Sequence, residues 1–216
     1  EDVARFLEQH PTFLVDNPQI LDHLLPAPRG ERVTDLQRYL LDRLRDEVDT
    51  LRGTARHLIH TSRSNQTTQA QTHAAVLSVI QAESAADLAT LVGEELPGLL
   101  DVDVSTLCLE ADQELPASVR ESGLGLLPPG EVEVLLGPGE PTLLREHADG
   151  APGVFGEKAD LARSDALVRL NLGHGRPEGL LALGSRHLGT FHPEHGTDLL
   201  AFLARVVEIT VRRWLP

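Results

Sequence analysis

The chain has a single cysteine, Cys108, which excludes an internal disulfide and any metal site built from several thiolates, and suits a reducing compartment. Cations are also scarce. Lys and Arg number 19 against 33 acidic residues, a formal charge of −14, and Lys158 is the only lysine. A surface of that sign is unsuited to nucleic acid, whose binding relies on cations neutralising phosphates, and equally to an anionic membrane face. Long apolar runs are missing: the longest are a handful of residues, against the roughly 20 needed to span a bilayer, and no charged-then-apolar leader opens the sequence. The expected compartment is the cytoplasm. Methionine is absent altogether, so the chain reads as a fragment whose natural ends are unseen. What is present suffices for a buried core, since 41% of the 216 residues are hydrophobic.

The most organised stretch runs from Thr34 to about Ala75. Leu41, Leu44, Val48, Leu51, Ala55 and Leu58 recur at alternating spacings of three and four, while the positions between them are mostly Arg, Asp, Glu, Gln and Thr. Such a narrow stripe is a coiled-coil seam that seeks one partner helix. Thr34 is the expected N-cap, with Gln37 its capping-box partner. Beyond Leu58 the register falls on Ser62, Asn65, Gln69 and Thr72, so the second half is either a polar coiled coil or a break between two helices, and Gly53 points to a break. A rod of about 60 Å, at about 1.5 Å per residue, cannot lie wholly on one small domain, so the six seam residues predict a parallel homodimer.

Before the rod, Asp2 to Gln9 reads as a short helix with Val3, Phe6 and Leu7 on one side, stopped by His10-Pro11. Phe13, Leu14, Ile20, Leu21, Leu24 and Leu25 extend it into a small helical cap over residues 1–33, a place where a protein partner could dock. After the rod, residues 76–216 form one domain. Ser84 should cap a helix from Ala85 to about Leu96, ended by Pro97-Gly98. The period then changes to two over Val102, Val104, Thr106 and Cys108, a strand. Residues 115–130 are weakly patterned, Glu131 to Leu136 is helix or strand, Pro141 to Arg145 is a strand, and Glu146 to Ala162 is a Gly-containing excursion. The strongest hairpin joins Ala166, Val168, Leu170 and Leu172 to Gly179–Arg186 through Gly173–Pro177. Pro193 opens a closing amphipathic helix carrying Leu199, Leu203, Val206, Thr210 and Trp214. This order predicts an α+β fold, an antiparallel sheet covered by helices on one face.

No catalytic set emerges. His192 and His195 stand at a spacing that would share a helical face, but structural zinc takes four ligands and only Glu194 accompanies them, so a solvated helix start is the simpler account and no metal is expected. Ser185 follows a glycine without the second glycine of a nucleophile elbow. Cys108 in a strand reads as an inert core residue. Arg169 and Asn171 project from the hairpin on the face opposite its apolar stripe, where Ala182 and Gly184 leave room. With Ser185, and with Arg163 and Phe155 from the excursion closing over them, they make the candidate ligand-binding set; the competing account is plain solvation on an uncovered face.

The segments HPTFL, NPQIL and VTDLQR, Asn65, DVDVSTLCLE, and above all LLALGSRHLGTFHPEHGTDLLAFLARVVE resemble Domain of Unknown Function 484, an uncharacterised bacterial family. The resemblance spans nearly the whole chain, is strongest at Gly184, Ser185, Phe191, Pro193, Gly196, Thr197 and Asp198, and is weakest over residues 115–162. It implies a GAF-like C-terminal domain, a fold used for sensing small molecules or binding proteins at the end of a signalling helix. The chain lacks the Asn-Lys-Phe-Asp-Glu set of cyclic-nucleotide binders, and Cys108 lies in a strand rather than in a bilin-linking loop, which leaves a haem-binding variant open. No cofactor is expected. The resulting expectation is a non-enzymatic cytoplasmic sensor or interaction module, GAF-like, binding an unidentified small molecule or protein and coupled to a dimeric helix. Its rival is a purely structural dimeric adaptor without a ligand.

Overall fold

The computed structural model describes residues 2–11, 13, 17, 20, 36–111 and 115–215. By internal packing the chain divides into two units, residues 1–62 and 63–216. In the first, α1 spans Asp2–Gln9 and ends where Pro11 forbids another helical turn. Phe6 anchors its end: it stacks on His10 with ring centroids 4.5 Å apart and meets Phe13 edge-on at 5.1 Å. Ile20 is half-buried, its N–H bonded to Asn17 O at 3.0 Å, while Leu14, Leu21, Leu24 and Leu25 of the expected cap, and the expected N-cap at Thr34, lie outside the described residues.

Helix α2 is continuous from Leu36 to Gln81, 46 residues, so neither Gly53 nor Asn65 breaks it. A Cβ on Gly53 would meet no atom within 4 Å, so the glycine is a local propensity cost in a solvated turn and not a bend. Thr50 and Thr54 turn their hydroxyls back onto the carbonyls of Asp46 and Thr50, at 2.8 and 3.0 Å. The hydroxyls thereby find acceptors within the helix, sharing carbonyls that already serve the backbone ladder.

In residues 63–216 the end of α2 buries Thr72, Ala75, Val76 and Val79. Ser84 caps α3 (Ala85–Thr90) as expected, its hydroxyl accepting from Asp87 N at 3.0 Å. The helix does not stop before Pro97. It widens into a π turn (Leu91–Glu95) and continues as α4 (Leu96–Leu100) with Pro97 in its first turn. In the π turn Leu96 N donates to Leu91 O, so the next donor in that ladder, for Val92 O, would be Pro97, which has no N–H. The orphaned carbonyl accepts instead from the buried hydroxyl of Ser105, on the first strand. Ser105→Ala should therefore destabilise the domain by about 1–3 kcal/mol, the cost of an unmet buried acceptor, readable as a lower urea midpoint at unchanged m-value.

The five strands are β1 (Val104–Glu110), β2 (Gly125–Leu127), β3 (Thr142–Arg145), β4 (Ser164–Leu170) and β5 (Gly179–Ser185). Their order is β2-β1-β5-β4-β3, antiparallel throughout except for the short parallel pair β1–β2, with Leu109 beside Leu126. The expected hairpin forms, with Ala166 opposite Leu183 and Val168 opposite Leu181. Between these strands lie α5 (Ala117–Arg120), α6 (Glu131–Leu136, which settles that segment as helix) and α7 (Pro152–Phe155), followed by a 3-10 turn (Gly156–Leu161). The closing helix α8 spans Asp198–Val211, starting five residues after Pro193, which sits in a turn.

The α+β architecture with helices flanking the sheet is as expected, but one detail is corrected: both sheet faces are covered. Leu107, Leu109, Val168, Leu170 and Leu181 pack on α2, α3, α4 and α8. On the other face Val104, Cys108, Leu167, Leu180 and Ala182 pack against Leu127, Val132, Leu136, Val154, Phe155 and Ala162. The excursion of residues 146–162 supplies part of that second layer. Its close approach is why Gly150, at φ +79°, and Gly184 carry no side chain: a Cβ on Gly150 would stand 2.5 Å from Ala159 O, and one on Gly184 2.7 Å from Ala162 Cβ and 2.8 Å from Val104 Cγ1. The room that Ala182 and Gly184 leave is filled from within.

Candidate functional site

The hairpin positions the five candidate residues, and its strand direction sets them apart. Arg169 and Asn171 stand at the Gly173–Pro177 end of β4, whereas Ser185 pairs with Ser164 at the opposite end, near Arg163. Phe155 is buried within the second layer. The guanidinium of Arg169 is fully engaged: it donates to the carboxylates of Glu133 (2.9 Å) and Glu178 and to the carbonyls of Gly137 and Glu140 (both 3.1 Å). It thereby ties the end of α6 to the hairpin. Asn171 folds onto its own turn, its amide oxygen accepting from Gly173 N at 3.1 Å. Its backbone N–H donates to the buried carboxylate of Glu208 on α8 at 2.7 Å. Arg163 is exposed, and its backbone bridges Ala148 and Ser185.

The Ser185 hydroxyl is buried and donates to Asp103 Oδ2 at 3.1 Å, while accepting from His187 N at 3.2 Å. Asp103 also receives the Arg186 backbone N–H at 2.8 Å and the Arg186 guanidinium. The backbone N–H of Arg186 is the main cause holding this carboxyl below its ordinary value, with the Ser185 hydroxyl and the Arg186 guanidinium adding to it against the opposing effect of burial. The folded state thus prefers the ionised form. The associated stability is complete above the ordinary aspartate range and is lost as pH falls through the lower folded value. Relative to Asp103→Asn, the wild type should therefore lose thermal stability more steeply between pH 5 and pH 3; parallel curves would detach Asp103 from acid sensitivity.

Cys108 is buried against Val154, and burial pushes its thiol up to about 11, countered by Thr106. A protonated, enclosed thiol is a poor nucleophile. Ellman's reagent should label native protein orders of magnitude more slowly than protein in denaturant. His192 and His195 share a turn and not a helical face, their rings 5.7 Å apart; His192 Nε2 faces Glu146 Oε2 at 3.2 Å. Among the described residues no group of three or more His, Cys, Asp or Glu is placed to hold a metal ion.

Two further surfaces stand out among the described residues. In residues 1–62, Leu44, Val48, Leu51 and Leu58 are 56, 42, 62 and 62% exposed, and Ala55 is exposed with them; the side chain of Leu41 lies outside the described ones. In residues 63–216 a groove of about 710 Å³ runs between α2 and the start of α8. Leu144, Leu183, Phe191, Leu200 and Leu203 line it, opposite Asn65, Thr68, Gln69 and Thr72. Sequence reasoning missed this groove. Its signal was the stretch Ser64–Thr72, nine residues without a charge directly after residues 36–63, which are dense in Arg, Asp and Glu.

No helix among the described residues is long and apolar enough to cross a membrane. Among solved structures the chain is similar to the free methionine-R-sulfoxide reductase of Neisseria meningitidis in complex with its substrate, at 20% identity, a TM-score of 0.44, and coverage of 66% of this chain and 87% of that one. At that identity and score the likeness transfers neither residues nor chemistry. No curated protein matches the sequence. The profile of one family, described as protein of unknown function DUF484, matches residues 1–216, so the chain belongs to the DUF484 family.

Proposed function

We propose that this protein is a non-enzymatic interaction module that works as a homodimer, with α2 as the pairing element and the α+β domain as the part presented to ligands or partners. The observation that carries the reading is the exposed stripe of Leu44, Val48, Leu51 and Leu58 on one helix. Four large aliphatic side chains at heptad spacing are costly to hydrate and complementary to their own copy. The non-enzymatic part is supported by the state of the two nucleophile candidates: Ser185 is buried, and the carboxylate that accepts its hydroxyl is taken up by Arg186 and held below its ordinary pKa, while Cys108 is enclosed with its thiol pushed up by burial. Light scattering from 1 to 100 μM tests the reading directly. A mass of twice the chain is the expected result, and a monomer throughout that range overturns it.

A sensor reading stands beside it because the groove has α2 as one wall. An occupant there would touch the pairing helix itself, the differential contact through which a ligand could bias helix pairing.

A further inference from the structure

We propose that the groove between α2 and α8 is a binding site for a small amphipathic amine, a molecule with an apolar body and one cationic end. This assignment concerns residues 63–216 alone and does not depend on dimerisation. A volume of about 710 Å³ lies within the range of small-molecule sites, roughly 300–1,000 Å³. The floor of Leu144, Leu183, Phe191, Leu200 and Leu203 offers an apolar surface for the ligand's body.

The opposite wall is built for hydrogen bonding without charge. Asn65 and Gln69 stand one turn apart on α2, and neither amide is engaged within the described residues. Thr72, nearly fully buried at the same wall, donates its hydroxyl proton to Thr68 O at 2.8 Å and keeps its oxygen free to accept. The charges on the rim give the sign of the ligand. Asp101 and Asp198 line the groove and form no ion pair within the described residues, and no Lys or Arg lines it. His195 also lines the groove, its Nδ1 accepting from His192 N at 3.3 Å. An anion would meet two carboxylates and no Lys or Arg, whereas an ammonium group meets one or both carboxylates favourably. Asp101 is held in place by the chain itself: it caps α4 in the left-handed conformation, its N–H bonded to Pro97 O.

The test uses three probes with one phenyl body, phenethylamine, 2-phenylethanol and phenylacetate, titrated against the full chain by ligand-observed NMR. The amine should saturate with an affinity about two- to fivefold above the alcohol, the worth of an exposed ion pair, and the acid should bind more weakly than both. Joint replacement Asp101→Asn and Asp198→Asn should bring the amine down to the alcohol. Thr68→Trp, at an exposed helix position on the wall, should remove saturable binding of all three while leaving thermal unfolding cooperative; Gln69→Trp is the second blocking variant. The proposal is overturned if the wild type saturates with none of the probes, if the acid binds as well as the amine, or if both tryptophan variants bind the amine like the wild type.

Discussion

Arg145→Ala is expected to destabilise the domain by about 3 to 5 kcal/mol, the usual consequence of leaving a buried carboxylate without its cation. Asp165 on β4 has no exposed side-chain surface, and Arg145, its register partner on β3, reaches it with two parallel bonds, Nε to Oδ1 at 2.7 Å and Nη2 to Oδ2. The fork geometry satisfies both oxygens at once, and this hydrogen bonding raises the affinity of Arg145 for its proton against the effect of burial. Removing the guanidinium therefore takes away the partner and leaves the charge. The double replacement Arg145→Met with Asp165→Leu should recover most of the loss, because a well-packed apolar pair of similar volume is often as stable as a buried ion pair. Urea titrations of the single and double variants decide it. A single variant within 1 kcal/mol of wild type would mean that water reaches Asp165 readily, and a double variant no better than the single would mean that the site cannot repack.

That pair was not legible in the sequence, and the reason is physical. Asp165 stands in a strand whose pattern, Ala166, Val168, Leu170, defines one buried face; the alternate residue Arg169 reads as a ligand contact or as solvated, and the pattern gives Asp165 no partner. They are covered because α6 and the excursion of residues 146–162 fold over that side. Nothing in a Gly-rich segment with few periodic apolar residues announces a covering layer; Val154, Phe155 and Ala162 supply it by their tertiary position. The same cause shifted the expected ligand set. Arg169 looked like a free cation, and only the three-dimensional placement of Glu133 and Glu178 shows where its donors go. By contrast the long helix, though not its continuity through Gly53 and Asn65, the Ser84 cap and the β4–β5 hairpin were plain, since local periodicity and capping chemistry fix them without help from distant residues. The continuation past Pro97 was not, because it needs Ser105 from another element to satisfy Val92.

Replacing Leu44 and Leu51 together by Asp should convert the protein to a monomer at micromolar concentration. About half the surface of Leu44, Val48, Leu51 and Leu58 is still exposed, so pairing can gain roughly half of the 1.5 to 3 kcal/mol that full burial of each would give. Over two chains that is about 6 to 12 kcal/mol before the cost of association, enough for a dimer only if all four contribute. Loss of two per chain removes on the order of 4 kcal/mol, a factor of roughly a thousand in the dissociation constant, and carboxylates facing one another across the seam add repulsion. Helix content should fall in the same variant, because a solvated helix without a packed face is marginal in water. Far-UV circular dichroism would show that loss while the cooperative unfolding of the α+β domain persists. The sense of pairing has its own test. In a parallel, in-register pair Leu58 meets its own copy, whereas an antiparallel pair sets Leu58 against Leu41. Leu58→Cys should therefore cross-link to a covalent dimer under mild oxidation, with Cys108 too deeply buried to interfere. A wild type that stays dimeric while Leu58→Cys fails to cross-link would make the pair antiparallel, and a double Asp variant that still sediments as a dimer would move the interface off this stripe.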